Sequence, residues 1–219
     1  MNLSDDVRQY ASATERNREP ILEVLKGVLP AKGTILEVAS GTGEHAVFFA
    51  PRLRPRYWLP SEANPQLRAS ITAWQVYFPA DNLYPPFNLD VRAPIWFPET
   101  GKLPEELRKS NFTPASLTAI VSINLIHIAP WSACLGLMAG AGHLLPPGGI
   151  LYLYGPFKQG GVHTAQSNAA FDEALRTQNP EWGVRDLDEV TEVASQQNLT
   201  LLESIEMPAN NLSVVFQHN

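Results

Sequence analysis

The sequence of 219 residues is short of cysteine, of basic charge and of long apolar runs. Its single cysteine, Cys134, has no partner in the chain for a disulfide, which suits a reducing compartment. No apolar run approaches the roughly 18 residues of a membrane span, and the polar, acidic residues 1–10 do not resemble a secretory signal. We therefore expect a cytoplasmic protein without a membrane partner.

Basic charge is the second deficit. The chain carries 16 Lys and Arg against 22 Asp and Glu, a formal charge of -6. Proteins that bind nucleic acid usually show a basic stripe, so no nucleic-acid partner is expected, although tRNA stays open. A small-molecule or peptide substrate is favoured. No Cys, His and acidic cluster has metal-ligand spacing, so no metal is expected.

The length and the 44% hydrophobic content suit one substantial core. We predict a single domain over residues 1–219, with residues 1–30 forming an N-terminal leader and helix that cover a ligand site. A solvated leader followed by a capped helix is an equally good interpretation. The sequence does not indicate the oligomeric state.

The clearest motif is an apolar strand that runs into a glycine turn and then an apolar helix, over residues 34–45. Closely spaced Gly41 and Gly43 allow a tight turn, and the helix presents unpaired N–H groups to a ligand. Together with Ala46 they also fit a dinucleotide fingerprint, so NAD stays open. Glu37, near the end of the strand, would repel a diphosphate and suits an ammonium.

This combination resembles motif I of the class I S-adenosylmethionine (SAM) dependent methyltransferases, an acid followed by three alternating glycines. Ala39 replaces the first of those glycines. Glu62, about 20 residues beyond the turn, is placed to bind both ribose hydroxyls, or is an exposed cap. The resemblance implies SAM as cofactor, with Asp90 at the adenine unless it caps a loop. The predicted cofactor-binding residues are Glu37, Ala39, Ser40, Gly41, Gly43, Glu62, Asp90, Val91 and Asn124.

A buried strand over residues 117–123 is followed by Asn124 and His127. The Asn/Asp-Pro-Pro-aromatic motif of many DNA and protein methyltransferases is absent, and the segment resembles the corresponding turn of small-molecule methyltransferases. His127 is the candidate catalytic residue because an imidazole with an ordinary pKa near 6.5 suits a general base. A histidine that starts a helix and bonds a backbone carbonyl is the commoner role.

Further polar and aromatic residues lie on the leader, on the carboxyl ends of the fourth and fifth predicted strands, and on the C-terminal hairpin. They offer donors, acceptors and rings rather than a basic track, which suits a small polar metabolite. The predicted substrate-binding residues are Tyr10, Arg16, Asn17, Tyr154, Phe157, His163, Asn168, Asn210 and Asn211.

Helices and strands alternate along the chain and end in an antiparallel hairpin over residues 199–216. A dinucleotide-binding Rossmann domain closes with parallel strands instead. We therefore predict an α/β fold, a three-layer doubly wound Rossmann-like methyltransferase sheet with an antiparallel C-terminal strand.

Six longer segments are similar to the methyltransferase-like protein twenty-six family, a domain-of-unknown-function family: residues 10–22, 40–45, 126–131, 154–157, 179–183 and 207–212. The resemblance covers nearly the whole chain and implies a SAM-dependent methyltransferase acting on a small polar metabolite. A SAM-binding sensor or interaction module without methyl transfer is the alternative, followed by an NAD-binding Rossmann protein.

Overall fold

The computed structural model describes residues 6–97 and 102–219. The helices are α1 (Ser12–Val28), α2 (Glu44–Arg52), α3 (Pro65–Tyr77), α4 (Trp131–Leu144), α5 (Gln166–Gln178) and α6 (Leu187–Ser195). The strands are β1 (Thr34–Val38), β2 (Tyr57–Ser61), β3 (Leu117–Ile123), β4 (Ile150–Gly155), β5 (Phe157–Gln159), β6 (Val162–His163), β7 (Arg185–Asp186), β8 (Leu199–Met207) and β9 (Asn211–His218). Short 3-10 turns lie at Glu105–Leu107, Pro114–Ser116 and Pro208–Asn210.

The main sheet has six strands in the order β2-β1-β3-β4-β9-β8. Strands β1 and β2 pair in parallel, whereas β9 pairs antiparallel with both β4 and β8. The connection from β8 to β9 is the short turn Pro208–Asn210, so the two strands form the expected hairpin. The predicted α/β fold with an antiparallel C-terminal strand is confirmed.

The resemblance implies that Asp90 is the acid of a third strand, on residues 88–92, with a loop cap as the alternative. No strand forms there, and the preceding residues make two isolated bridges, Trp58 to Leu83 and Ser61 to Phe87. Pro85 and Pro86 lie between those bridges and have no N–H to donate, so a continuous ladder cannot form beside β2. Asp90 and Val91 therefore lie in a loop.

By their contacts the residues fall into two compact units, Met1–Asp90 with Ile95–Ala119 and Val91–Pro94 with Ile120–Asn219. In the first unit, α1 packs on α2, and α2 packs on both β2 and α3. All five residues of β1 are buried, which explains its nearly continuous apolar sequence. The only charged residue in that strand, Glu37, is buried with the others.

In the second unit, α6 packs on α4 and β8, and a separate three-stranded sheet has the order β6-β5-β7. The polar, glycine-containing sequence of residues 158–168 predicts a long loop, and this prediction is wrong. Gly160 and Gly161, at φ 59° and 77°, form a two-residue turn that pairs β5 with β6. Two consecutive residues with positive φ are what such a hairpin requires.

No helix within residues 6–97 and 102–219 is long enough and apolar enough to cross a bilayer.

Candidate functional site

The glycine turn (residues 39–43) is built from three left-handed residues. Ala39, Gly41 and Gly43 have φ of 55°, 55° and 95°. A Cβ on Gly43 would lie 2.7 Å from the Ile71 Cα, so packing against α3 requires glycine there. A Cβ on Gly41 would meet nothing within 4 Å. Gly43 is therefore needed by the fold, whereas Gly41 faces open space.

Glu37 is buried before the turn, with 1% of its surface exposed. Its Oε2 accepts a hydrogen bond of 2.9 Å from the indole Nε1 of Trp58. Burial, with a smaller contribution from the charge of Glu62, raises its pKa to about 7, although the hydrogen bonds from Trp58 and Ser40 act in the other direction. A positive charge placed beside this carboxyl would favour its ionised form.

Ser40 and Ser61 hold the ends of β1 and β2 together. The Ser40 amide donates to Ser61 O at 2.9 Å, and the Ser61 hydroxyl donates to Glu37 O at 2.8 Å. The Ser40 Oγ also accepts from the Ser61 amide at 3.2 Å. These bonds fix the position from which the glycine turn starts.

Glu62 follows β2 and is bound to the glycine turn itself. Its Oε2 accepts from the Gly41 amide at 3.0 Å and its Oε1 accepts from the Asn64 amide at 2.9 Å. The residue is buried, with 8% of its surface exposed. The sequence predicted an acid at this position for a ribose, and the structure adds that backbone amides orient both of its oxygens.

The leader ahead of α1 is hydrogen-bonded to the first turn of α2 and to α3. The Ala11 amide donates to Glu44 Oε2 at 2.6 Å. The Gln9 amide donates to the Ser70 hydroxyl at 2.8 Å, and Trp74 Nε1 donates to Gln9 O at 3.0 Å. The leader therefore lies against the helices that flank the glycine turn.

The predicted substrate residues of the leader differ in exposure. Tyr10 is 65% exposed, with its ring centroid 5.0 Å from that of Trp74 in an edge-to-face arrangement, and Arg16 is also exposed. Asn17 is buried, and its Oδ1 accepts from His45 Nε2 at 2.8 Å. Burial and the nearby Arg18 charge lower the pKa of His45 to about 3, so the His45 ring is neutral. The side-chain oxygen of Asn17 is therefore already hydrogen-bonded to this ring.

Of the remaining predicted cofactor residues, Asp90 is half-buried at the end of the first unit, and Val91 is buried in the second. Asn124 has a positive φ of 56°, and its amide donates to Tyr154 O at 2.8 Å. Asparagine tolerates this left-handed conformation better than most residues do. The turn after β3 is thereby tied to the end of β4.

His127 lies in a turn between β3 and α4, here named the histidine turn (residues 126–129). It is 3% exposed, and its Nδ1 has no hydrogen-bond partner among the described residues. Burial, with a smaller contribution from the charge of Arg185, lowers its pKa to about 4. A Cβ on Gly155 would lie 3.1 Å from the His127 Nδ1, so the glycine leaves room beside that nitrogen.

The alternative role of His127 was a helix-start ring that bonds a backbone carbonyl. The helix begins four residues later, at Trp131, and the ring nitrogen Nδ1 is without a partner in the described chain. The hydrogen bond at this residue is instead made by its backbone carbonyl, which accepts from the Gly183 amide at 3.0 Å.

His163 belongs to a charged cluster centred on Asp172. The Asp172 Oδ2 lies 3.3 Å from His163 Nε2 and 3.2 Å from Lys158 Nζ, and its Oδ1 accepts from Arg176 Nε at 3.1 Å and from the Val184 amide at 2.7 Å. Burial opposes ionisation of Asp172, but these hydrogen bonds and the Lys158 charge outweigh it and lower its pKa.

The predicted asparagines are brought together in the second unit. Asn168 is buried, and its Nδ2 donates to Asn210 O at 2.8 Å and to the Thr164 hydroxyl at 3.1 Å. Asn210 Nδ2 donates to the Ser167 hydroxyl at 3.1 Å, and Asn211 Nδ2 donates to Pro208 O at 3.1 Å. The side-chain amides of Asn168 and Asn210 therefore join the start of α5 to the C-terminal hairpin, whereas that of Asn211 bonds within the hairpin turn.

Tyr154 and Phe157 are both buried, at the end of β4 and the start of β5. No group of three or more His, Cys, Asp or Glu side chains that could hold a metal ion is found in the described part of the chain.

Three residues around these sites were not anticipated from the sequence: Trp58, Asp172 and Arg185. Trp58 and Asp172 each lie on one face of an ordinary strand or helix pattern, so their polar contacts give no sequence signal. Arg185 follows the 179–183 segment, whose unusual Asn-Pro-Glu-Trp-Gly sequence could have drawn attention to it.

Several solved structures are similar to this chain over nearly its whole length. Human N-acetylserotonin methyltransferase in complex with SAM matches with a TM-score of 0.72 and 13% identity over 94% of this chain and 53% of that one. An O-methyltransferase family 2 protein from Planctomyces limnophilus in complex with apigenin matches with a TM-score of 0.72 and 17% identity, over 94% of this chain and 60% of that one. The mitomycin 7-O-methyltransferase MmcR matches with a TM-score of 0.73 and 11% identity, over 95% of this chain and 55% of that one.

These likenesses establish the class I methyltransferase fold, and this chain spans between 53% and 60% of the length of the three structures. A family model described as "Protein of unknown function (DUF938)" matches residues 8–218. The chain therefore belongs to the DUF938 family and has the fold of SAM-dependent methyltransferases.

Proposed function

We propose that this protein is a cytoplasmic SAM-dependent methyltransferase that acts on a small polar metabolite. The observation that carries the proposal is the glycine turn. A Cβ on Gly41 would meet nothing within 4 Å, the Gly41 amide is bound by the buried acid Glu62, and a second buried acid, Glu37, lies on the strand before the turn. The fold shared with small-molecule O-methyltransferases supports the same conclusion by analogy.

The residues present fit SAM chemically. Glu37 would neutralise the methionine ammonium, the glycine turn with Ser40 would lie along the methionine and ribose, and Glu62 would accept from the ribose hydroxyls. Asp90, Val91 and Asn124 are assigned to the adenine and to the wall of the site. SAM, when bound, supplies an electrophilic methyl group on its sulfonium.

Ala39, the departure from the family motif, is compatible with this role. It has the left-handed φ of 55° for which the motif uses glycine. The methyl group therefore costs strain of about 1 kcal/mol but does not change the path of the backbone. The departure gives little support to the alternative of a SAM-binding module without activity.

In the second unit, His127 is the proposed general base. Its pKa of about 4 keeps the ring neutral at physiological pH. Its Nδ1, which is buried and has no partner among the described residues, is the atom proposed to take a proton from an acceptor hydroxyl, thiol or amine. A base with so low a pKa is weak, so we expect the rate to depend mainly on how the acceptor is positioned. The proposed acceptor contacts are Tyr10, Arg16, Asn17, Tyr154, Phe157, His163, Asn168, Asn210 and Asn211.

The closer similarity to the methyltransferase-like protein twenty-six family belongs to this proposal. It is supported by the six sequence segments and agrees with a family model that leaves function undefined. It does not identify the acceptor.

Calorimetric titration with SAM, S-adenosylhomocysteine and NAD tests cofactor choice. We expect both sulfur compounds to bind and NAD not to bind. Gly41→Ala should weaken SAM binding at least tenfold, because its methyl would fill the open space over the turn. Gly148→Ala is the matched control, since Gly148 also has a positive φ, 81°, and open space beside it. Binding of NAD alone would refute the proposal.

Incubation with labelled SAM and a fractionated metabolite extract tests transfer. A labelled small product that depends on the protein, and that is lost in Gly41→Ala, would support a methyltransferase. Tight SAM binding without any product, from small molecules, tRNA or protein, would favour the sensor or interaction module.

A further inference from the structure

The guanidinium of Arg185 binds the backbone on both sides of His127. Its Nε donates to Ile126 O at 3.0 Å, and its Nη2 donates to Ala129 O at 2.7 Å. The same Nη2 donates to Glu181 O at 2.7 Å. One planar, half-buried side chain therefore spans the histidine turn and joins it to the segment that precedes Arg185 itself.

The segment 181–185, here named the clamp loop, adds a third bond to the turn. The Gly183 amide donates to the carbonyl of His127 at 3.0 Å. Gly183 has a φ of 151°, and a Cβ there would lie 2.7 Å from Asp172 Oδ1 and from Arg176 Nη2. The next amide, that of Val184, is held by Asp172 at 2.7 Å. The clamp loop is thus fixed to α5 on one side and to the histidine turn on the other.

The histidine turn consequently has three of its backbone carbonyls occupied, those of Ile126, His127 and Ala129. The Nδ1 of the His127 ring, by contrast, is buried and has no partner in the described chain. The backbone of a turn held at these three points cannot shift without breaking hydrogen bonds. A rigid backbone beneath a free ring nitrogen is the arrangement that precise proton transfer needs.

We propose that Arg185 is a positioning residue for His127, and that the clamp loop exists to hold the histidine turn and keep its Nδ1 in place. Arg185 does not touch the acceptor in this scheme. The inference rests on the proposed role of His127 as a base, and it gives a function to the Asn-Pro-Glu-Trp-Gly segment that the cofactor and acceptor assignments leave unused.

Charge is a second route by which Arg185 acts on His127. The positive guanidinium disfavours protonation of the ring, in addition to burial, which is the larger effect. The other charged or titratable groups around Arg185 are Cys134 on α4, Asp172 and Arg176 on α5, and Glu189 on α6. Among the described residues, the ring of Phe171 faces the His127 ring at 5.8 Å and carries no charge.

The test compares Arg185→Met with Arg185→Lys and uses Arg56→Met as control. Arg56 is the comparison arginine in the first unit, because its guanidinium likewise donates to backbone carbonyls, Pro30 O at 2.6 Å and Leu29 O at 3.0 Å. Both methionine variants should lower thermal stability by similar amounts. Only the Arg185 variants should disturb the histidine turn.

Two NMR readouts are independent of activity. In Arg185→Met we expect the pKa of the His127 ring to rise by at least half a unit and the Gly183 amide to exchange with solvent at least tenfold faster. Arg185→Lys keeps the positive charge but loses the planar guanidinium that donates to several carbonyls at once. The Gly183 amide should therefore exchange faster, while the pKa of His127 stays nearer the wild-type value. An unchanged pKa and exchange rate in Arg185→Met, or equal changes in Arg56→Met, would overturn the inference.

Once an acceptor is found, kcat in Arg185→Met should fall at least tenfold while the Kd for SAM changes less than twofold. If the wild-type protein transfers no methyl group, the proposed function fails, and the NMR comparison still decides whether Arg185 positions His127.

Discussion

The glycine turn and the histidine turn use their polar groups in opposite ways. At the glycine turn the side chains are engaged: Glu62 accepts two backbone amides, and Glu37 accepts the Trp58 indole. At the histidine turn the backbone carbonyls are engaged, and the His127 Nδ1 is left free within the described chain.

This difference suits two kinds of task. A site that holds a charged cofactor needs carboxylates already oriented, because a preorganised group loses little entropy on binding. A site that moves a proton needs a nitrogen with no competing partner on a backbone that does not shift. The following predictions test the contrast, beginning with the largest effect.

Gly43→Ala should destabilise the protein by about 3 kcal/mol or more, since its methyl would meet the Ile71 backbone at 2.7 Å and adopt a φ of 95°. Gly41→Ala, with nothing within 4 Å, should cost about 1 kcal/mol from backbone strain alone. Urea unfolding measures both. Equal losses of unfolding free energy in the two variants would contradict the distinction between Gly43, which the packing requires, and Gly41, which faces open space.

Glu37→Gln should change how stability depends on pH. The folded carboxyl, with its pKa raised to about 7 from 4.5, binds more protons than the unfolded one between those values. Stability therefore falls as pH rises through this window, and the neutral amide removes that slope. Relative to wild type, the variant should gain about 3 kcal/mol between pH 5 and pH 8 in urea unfolding. Parallel curves for the two proteins would contradict a buried, neutral Glu37.

His127 should make stability depend on pH in the opposite direction, and His127→Asn should remove that dependence. The folded ring, with its pKa lowered to about 4 from 6.5, stays neutral while the unfolded ring takes up a proton. The wild type therefore loses stability from this group as pH falls from about 6.5 to about 4. Relative to wild type, the variant should gain about 2 kcal/mol between pH 7 and pH 5.

Urea unfolding at a series of pH values measures this difference. Parallel pH profiles for His127→Asn and the wild type would contradict a buried, neutral His127.

Ala39→Gly should give the smallest effect. Glycine relieves the left-handed strain at φ 55° but adds entropy to the unfolded chain, so we expect a net stabilisation of about 0.5 kcal/mol. SAM affinity should change less than twofold. A large gain in affinity would show that the Ala39 methyl obstructs the cofactor.

The fold was predictable because its signals are local. Alternating apolar segments, a glycine turn and a C-terminal hairpin each depend on neighbouring residues, and the predicted bounds of β3, residues 117–123, agree with the observed strand. The strand beside β2 is missing because Pro85 and Pro86 cannot donate to a ladder, and these prolines already favoured the loop alternative in the sequence. The β5–β6 hairpin was missed because two glycines suit a flexible loop as well as a tight turn.

The sequence by itself determined where acids, glycines and histidines occur along the chain, and from their order which residues to assign to cofactor and acceptor. Only the tertiary structure decided which of their atoms are already bonded: Glu37 to Trp58, Asn17 to His45, and the histidine turn to Arg185. The physical reason is that these partners lie 21 to 59 residues apart in the chain. Hydrogen bonds between such distant groups follow from packing and leave no periodic pattern in the sequence.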